Sequence, residues 1–276
     1  MKRPAPRLAA GISIGLLALL ILSSIFAPLI APYDPLKIDM KNRLAHADRL
    51  HLLGTDVLGR DVFSRILYGG RMSILLAMAA TILAMFTGLV IGVISGYAGG
   101  KIDLFITNIT CIFQGLPGTS MMIAISAMLG PGIRSLLTAL VINSWSGFSR
   151  IVRGEVIKLR EERYIESARS FGAGSFRIVL RYLLPNMAEH IIVLCATRIG
   201  SMILSIASLS FLGLGIQPPA PDWGVMVSDA RTYFRSAPLL FIAPGFCIAV
   251  VSFGVNYAGE LLREYFDVHK NTRSYD

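Results

Sequence analysis

The chain has 276 residues, of which 54% are hydrophobic and only 16% charged, with a formal net charge of +9. Soluble domains carry about 25% charged residues, so this chain has too little polar surface for a water-soluble globule. A secreted disulfide scaffold, a disordered chain and an ordinary cytosolic enzyme are excluded, and the expectation is an all-α integral membrane protein.

A hydrocarbon core about 30 Å thick takes roughly 20 helical residues to cross. After a basic N-terminus at 1–7, with Lys2, Arg3 and Arg7, residues 8–30 contain no charge and predict the first crossing. The apolar stretch is too long for a signal-peptide core, so it reads as a retained anchor with its N-terminus in the cytoplasm. Residues 31–71 form an external loop. Gly54 and Gly59 can supply positive φ there, folding Gly54-Thr55-Asp56 and Gly59-Arg60-Asp61 into compact turns in which Asp56, Arg60 and Asp61 can pair. Leu52, Leu53, Val57 and Leu58 then suit an element lying along the membrane surface.

Residues 72–98 and 104–129, again uncharged, predict the second and third crossings. In the second, Ala80, Ala84, Gly88, Gly92 and Gly96, continued by Gly100, step four apart and make a small-residue stripe against which another helix can pack closely. Residues 135–149 are a short fourth candidate between Arg134 and Arg150, about 22 Å at helical rise. The polar stretch 150–190 is long for a bundle connection and reads as helix, break, helix. Residues 155–170 favour a helix, Gly172 and Gly174 permit a turn, and 175–184 resumes until Pro185 stops it.

Residues 191–216 predict the fifth crossing despite Arg198, which lies about 10 Å into the helix. An intramembrane arginine either snorkels to the interface or faces a polar cavity, and Ser201, Ser205 and Ser208 extend a polar stripe from it. Pro218, Pro219 and Pro221 favour extended chain, and Trp223 suits the headgroup level. Residues 237–259 predict the sixth crossing, followed by a tail at 264–276. Cys111, Cys195 and Cys247 stand alone in apolar runs and read as small buried hydrophobes. Six crossings put both termini in the cytoplasm, with fifteen Lys/Arg in cytoplasmic segments against ten outside, the direction of the positive-inside rule.

At the polar loop the sequence resembles a known family. Glu166-Ser167-Ala168, Gly172, then Tyr182 and Leu184-Pro185 follow the E-A-A-x3-G-x9-I-x-L-P signature of permease subunits of ATP-binding-cassette importers, departing at Ser167 and Tyr182. Leu53-Gly54-Thr55-Asp56-Val57-Leu58-Gly59-Arg60-Asp61 and Ser210-Phe211-Leu212-Gly213-Leu214-Gly215, the latter running on to Trp223 and Arg231, look like the branch that imports oligopeptides, dipeptides and nickel. The likeness covers nearly the whole chain, and its short N-terminal extension looks more like the nickel-type members. The resemblance implies a permease core over 72–263 with a cytoplasmic coupling-helix loop between spans four and five. Glu166, Ser167, Ala168, Gly172, Leu184 and Pro185 would form the ATPase-coupling surface. Gly54, Asp56, Gly59, Arg60, Asp61 and Trp223 would form an external rim, and Arg198, Ser201 and Ser205 would line the pathway. The implied partners are a second homologous permease, two ATPase subunits, an extracytoplasmic substrate-binding protein and the lipid bilayer of a bacterial inner membrane. ATP and magnesium would sit on the ATPases, this chain binding no cofactor, and the cargo would be nickel, a metal chelate, or di- or oligopeptides.

The rival classes are weaker. No G-x4-G-K-[ST] phosphate loop or HExxH occurs, and Gly11-Ile12-Ser13-Ile14-Gly15 lies in an apolar span without the strand-turn-helix that a nucleophile elbow needs, so neither catalytic nor metal residues are assigned. Nucleic acid is not an expected partner, because basic excess in a membrane protein marks loops and headgroup contacts. An ATPase-independent channel or ion-driven carrier remains the alternative, although such carriers place carboxylates within their spans and the clear spans here have none.

Overall fold

The computed structural model describes residues 7–273. Eleven α-helices are described: α1 (Arg7–Ile25), α2 (Ala27–Ile30), α3 (Val62–Ala98), α4 (Gly100–Gly115), α5 (Gly118–Leu129), α6 (Ile133–Arg160), α7 (Arg163–Ser170), α8 (Ser175–Ile178), α9 (Leu184–Phe211), α10 (Trp223–Ala230) and α11 (Leu239–Arg273). Among the described residues the β pairing is a single bridge between Thr55 and Asp61.

Among the described residues, three continuous helical stretches are long and apolar enough to cross a bilayer: Val62–Ala98, Ser175–Phe211 and Leu239–Phe266. A fourth qualifies only as the pair α4 and α5, which bend by 90° at their junction. The run 104–129, expected as one helix, is therefore broken. Pro117 disfavours helical geometry in the residue before it, and Leu116 accordingly adopts an extended ψ of 140°. The helix that holds the second expected crossing begins ten residues before it, because Asp61 caps α3 by accepting from the Ser64 backbone N–H at 2.8 Å. The fourth expected stretch lies within α6, which runs for 28 residues to a basic last turn and is not among the helices apolar enough to cross by themselves. Pro185 does not stop its helix. A π turn at Val179–Leu183 precedes it, so it occupies the first turn of α9, where a missing N–H costs no hydrogen bond.

The core is the pairing of α3 with α6, which run in the same direction. Ala80, Ala84, Gly88, Gly92 and Gly96 are all buried. A Cβ on Gly88 would stand 2.5 Å from the Phe148 Cβ, one on Gly92 2.6 Å from the Ser149 carbonyl, and one on Gly96 2.9 Å from the Arg153 carbonyl. The stripe is thus filled by this chain's own α6. It ends before Gly100, because Gly99 (φ +67°) turns the backbone into α4. Around this pair, α9 packs on α11, α1 on α11 and α3, and α10 against α3, α9 and α11. Of the cysteines only Cys247 is buried; Cys195 is half-buried and Cys111, expected inside, is exposed.

Candidate functional site

The α3 helix, 37 residues long and so about 55 Å at 1.5 Å per residue, separates two ends of the molecule that the sequence singled out. At its N-terminal end the loop 31–61 folds into a knot of turns. Gly59 (φ +73°) lies so close to Asp39 that a Cβ would overlap its carbonyl oxygen, which only glycine permits. Asp56 accepts from Arg60 Nε at 2.7 Å and lies 3.4 Å from Arg65 Nε. Asp61 does not join this pair as expected. It caps α3 and meets His51 Nδ1 at 2.9 Å. Of the motif's apolar residues, Leu52 is exposed while Leu53, Val57 and Leu58 are half-buried in the turns.

Trp223 is also displaced from expectation. It is 1% exposed and packed against Gly69 and Gly70 of α3, so its ring meets protein on all sides, and its Nε1 donates to the Ile66 carbonyl at 2.9 Å. Beside it Asp222, fully buried, accepts from Ser73 Oγ at 2.7 Å and from the backbone N–H groups of Gly224 and Val225. Burial pushes this carboxyl above the usual carboxylate range, opposed by those donors. The two motifs expected outside therefore pack on each other, and Asp56, Val57, Arg65, Met226 and Asp229 line a cavity of about 20 Å³ between them.

At the opposite end α7 seats Ile165 and Ala168 inward and leaves Glu166 and Ser167 exposed. Residues 155–170, expected as one helix, break at Glu161 and Glu162, so that Glu155 belongs to α6. Gly172 (φ +82°) makes the turn into α8, Leu184 is half-buried and Pro185 exposed. Phe171 and Phe176 flank the turn at 91% and 77% exposure. Arginines tie this end to the bundle: Arg160 Nη1 donates to the Gly96 and Tyr97 carbonyls at 3.2 Å each, and the Arg169 guanidinium lies 5.6 Å from the Tyr97 ring centroid. Arg153 grips Asp103 with two bonds of 2.5 and 2.6 Å, joining α6 to α4.

Between the two ends lies a cavity of about 700 Å³, formed where the broken α4–α5 pair meets α6 and α9. Arg198, Ser201 and Ser205 all line it, with Gln114, Asn143, Ser144 and Arg150. The Arg198 guanidinium is exposed to the cavity, 6.0 Å from the Phe148 ring centroid. Both serines return their hydroxyls to the helix, Ser201 to the Arg198 carbonyl and Ser205 to the Ser201 carbonyl. Ser208 leaves this cavity for another beside Leu204 and Phe211. Sequence reading missed Gln114, Asn143 and Arg150; the signal was Gly115, Pro117 and Gly118 in an apolar run, since interrupted spans line cavities.

Residues 88–267 match the family model described as binding-protein-dependent transport system inner membrane component. The chain belongs to this family. It is thus an ABC importer permease subunit and a multi-pass inner-membrane protein. Residues 9–47 match a second model, the N-terminal TM domain of oligopeptide transport permease C. The dipeptide transport system permease protein of Alkalihalophilus pseudofirmus is 41% identical, over 90% of this chain and 81% of that protein. The nickel transport system permease protein of Escherichia coli is 37% identical over 94% and 92%, and the glutathione transport system permease protein of Pectobacterium atrosepticum is 38% identical over 93% and 86%. In fold, the chain is similar to a methionine ABC transporter solved in an inward-facing conformation, with a TM-score of 0.55, 18% identity, and coverage of 70% of this chain and 94% of that one.

Proposed function

We propose that this permease forms half of the membrane pathway of an ATP-driven importer, crossing the membrane six times with both termini in the cytoplasm. In this reading α1, the bent α4–α5 pair and α6 each count as one crossing beside the three long helices. A second permease completes the pathway, two ATPase subunits hold the ATP and magnesium, and an extracytoplasmic binding protein delivers cargo to the end of the molecule that the Gly54–Asp61 turns and the buried Trp223 shape, where Leu50 and Leu52 are exposed. The cargo belongs to the range that the relatives' names span: a dipeptide or other small peptide, glutathione, or nickel and its chelates.

The observation that carries the reading is the loop at 163–185. A short helix with a buried inner face and an exposed outer one, flanked by two bare phenylalanines, is built to meet a soluble partner. Closure of the ATPases would then reach the bundle through α7 and the arginines that bind the end of α3. Gly172→Val tests it, because a β-branched side chain is strained at φ +82°. A Cβ there meets nothing within 4 Å, so membrane insertion should persist. Copurification of the ATPases, or transport-coupled ATP hydrolysis, should fall at least several-fold; wild-type coupling in a well-inserted variant would remove the loop from this role.

A further inference from the structure

The chemistry of the central cavity bears on what passes through it. The described residues that line it include two guanidinium groups, Arg150 and Arg198, and no aspartate or glutamate. Arg198 has no carboxylate partner among the described residues; its neighbour is the Phe148 ring at 6.0 Å. Gly147 faces it without a side chain, and a Cβ built there would stand 4.0 Å from Nη2. Arg150 is differently held. Its Nη1 donates to Gln114 Oε1 at 2.9 Å, and Gln114 Nε2 donates to the Ser146 carbonyl at 3.0 Å, so one amide fixes the fork while its remaining N–H groups stay free to donate.

A cavity-facing guanidinium with no carboxylate partner of its own keeps its planar fork of N–H donors available for an anion of matching geometry. A bare divalent cation meets the reverse situation: two like charges, and no carboxylate, imidazole or thiolate among the described residues of this chain's lining to replace its water. The volume, about 700 Å³, falls within the roughly 300–1,000 Å³ of small-molecule sites. Asn143, Ser144 and Gln114 add amide and hydroxyl groups that match peptide bonds.

We infer that Arg198, assisted by Arg150, is a carboxylate-binding subsite, and that cargo crosses as a carboxylate-bearing anion or zwitterion and not as an uncomplexed metal ion. This rests on the reading of the chain as the translocating subunit. The carboxylate belongs to a peptide terminus or to the chelator around a metal.

The test uses cells whose importer carries the wild-type chain, Arg198→Ala or Arg198→Lys, and follows uptake of labelled alanyl-alanine, its C-terminal amide, free nickel ion and nickel citrate. Because the binding protein is the same throughout, its own preference cancels when variants are compared for each cargo. Expected is a loss of uptake on Arg198→Ala at least about tenfold larger for a carboxylate cargo than for the dipeptide amide, with partial recovery in Arg198→Lys, which restores charge without the planar fork. A response in alanyl-alanine assigns the carboxylate to a peptide; a response only in nickel citrate assigns it to a chelator. Equal loss for acid and amide, uptake of free nickel in preference to both carboxylate cargos, or uptake of neither carboxylate cargo by the wild type overturns the inference. ATP hydrolysis coupled through Gly172, measured in the same cells' membranes, reports separately on the importer reading.

Discussion

Asp222 holds together more than its own helix. One oxygen takes the Ser73 hydroxyl from α3 and the other takes the Gly224 and Val225 N–H groups at the start of α10. Removing the carboxylate loses a helix cap, typically about 1 kcal/mol, and leaves the buried Ser73 hydroxyl without its acceptor, a further penalty of roughly 1–3 kcal/mol. Asp222→Ala should therefore lower the unfolding midpoint of the detergent-solubilised importer well below that of Asp222→Asn, which keeps one acceptor. Equal midpoints would show that the acceptor kept by asparagine contributes nothing to stability. Residue chemistry of this kind was only partly legible in the sequence. The Asp56 and Arg60 pair was, because four residues and two glycine turns bring them together. The Ser73 to Asp222 bond was not, because 149 residues separate its ends and no local period encodes it. Trp223 misled for a related reason: a tryptophan after a proline-rich turn suits the headgroup level as a residue, and only the bare faces of Gly69 and Gly70 make room for it inside.

The helices divide in the same way. The α3 stripe was readable because its four-residue step is a local pattern, but its partner was not. Gly92 now makes a sharp prediction, since a Cβ there would press on the Ser149 carbonyl and the Val152 side chain, at 2.6 and 2.8 Å. Neither can move without parting the α3 and α6 backbones, so Gly92→Leu should cost at least the roughly 1–3 kcal/mol typical of overpacking. It should appear as loss of monodisperse protein on heating. Gly154→Ala is the matched control on α6, where a Cβ meets nothing within 4 Å, and it should hold or slightly raise the midpoint through helix propensity. Breaks were the harder part. A proline reads locally as a helix stop, yet Pro185 sits in a continuous helix because a π turn absorbs the register, while Pro117 bends its span by 90° and opens the cavity. The difference lies in what packs alongside, which spacing along one chain does not record.

For the whole molecule, hydrophobicity and charge made an all-helical membrane protein legible, and the motifs made its family legible, while orientation rests on charge bias alone. The fifteen basic residues assigned to the inside against ten outside include eight between Arg150 and Arg181, three of which the structure commits to holding helix ends or ion pairs in α6 and α7. A direct test places single cysteines at the two ends of α3, about 55 Å apart at helical rise. Ser175 is exposed beside the Gly172 turn, and Arg49 is exposed in the loop before α3. Arg49 suits better than Asp48, whose carboxylate holds a turn by accepting from the Leu50 and His51 N–H groups. The three native cysteines must first be replaced, because Cys111 is exposed and would react on its own account. With the N-terminus inside, an impermeant maleimide applied to intact spheroplasts should label the cysteine at 49 and spare the one at 175, and inside-out vesicles should give the opposite pattern. Labelling of the cysteine at 175 in sealed spheroplasts would invert the molecule, putting the α7 surface on the side where no ATPase can reach it.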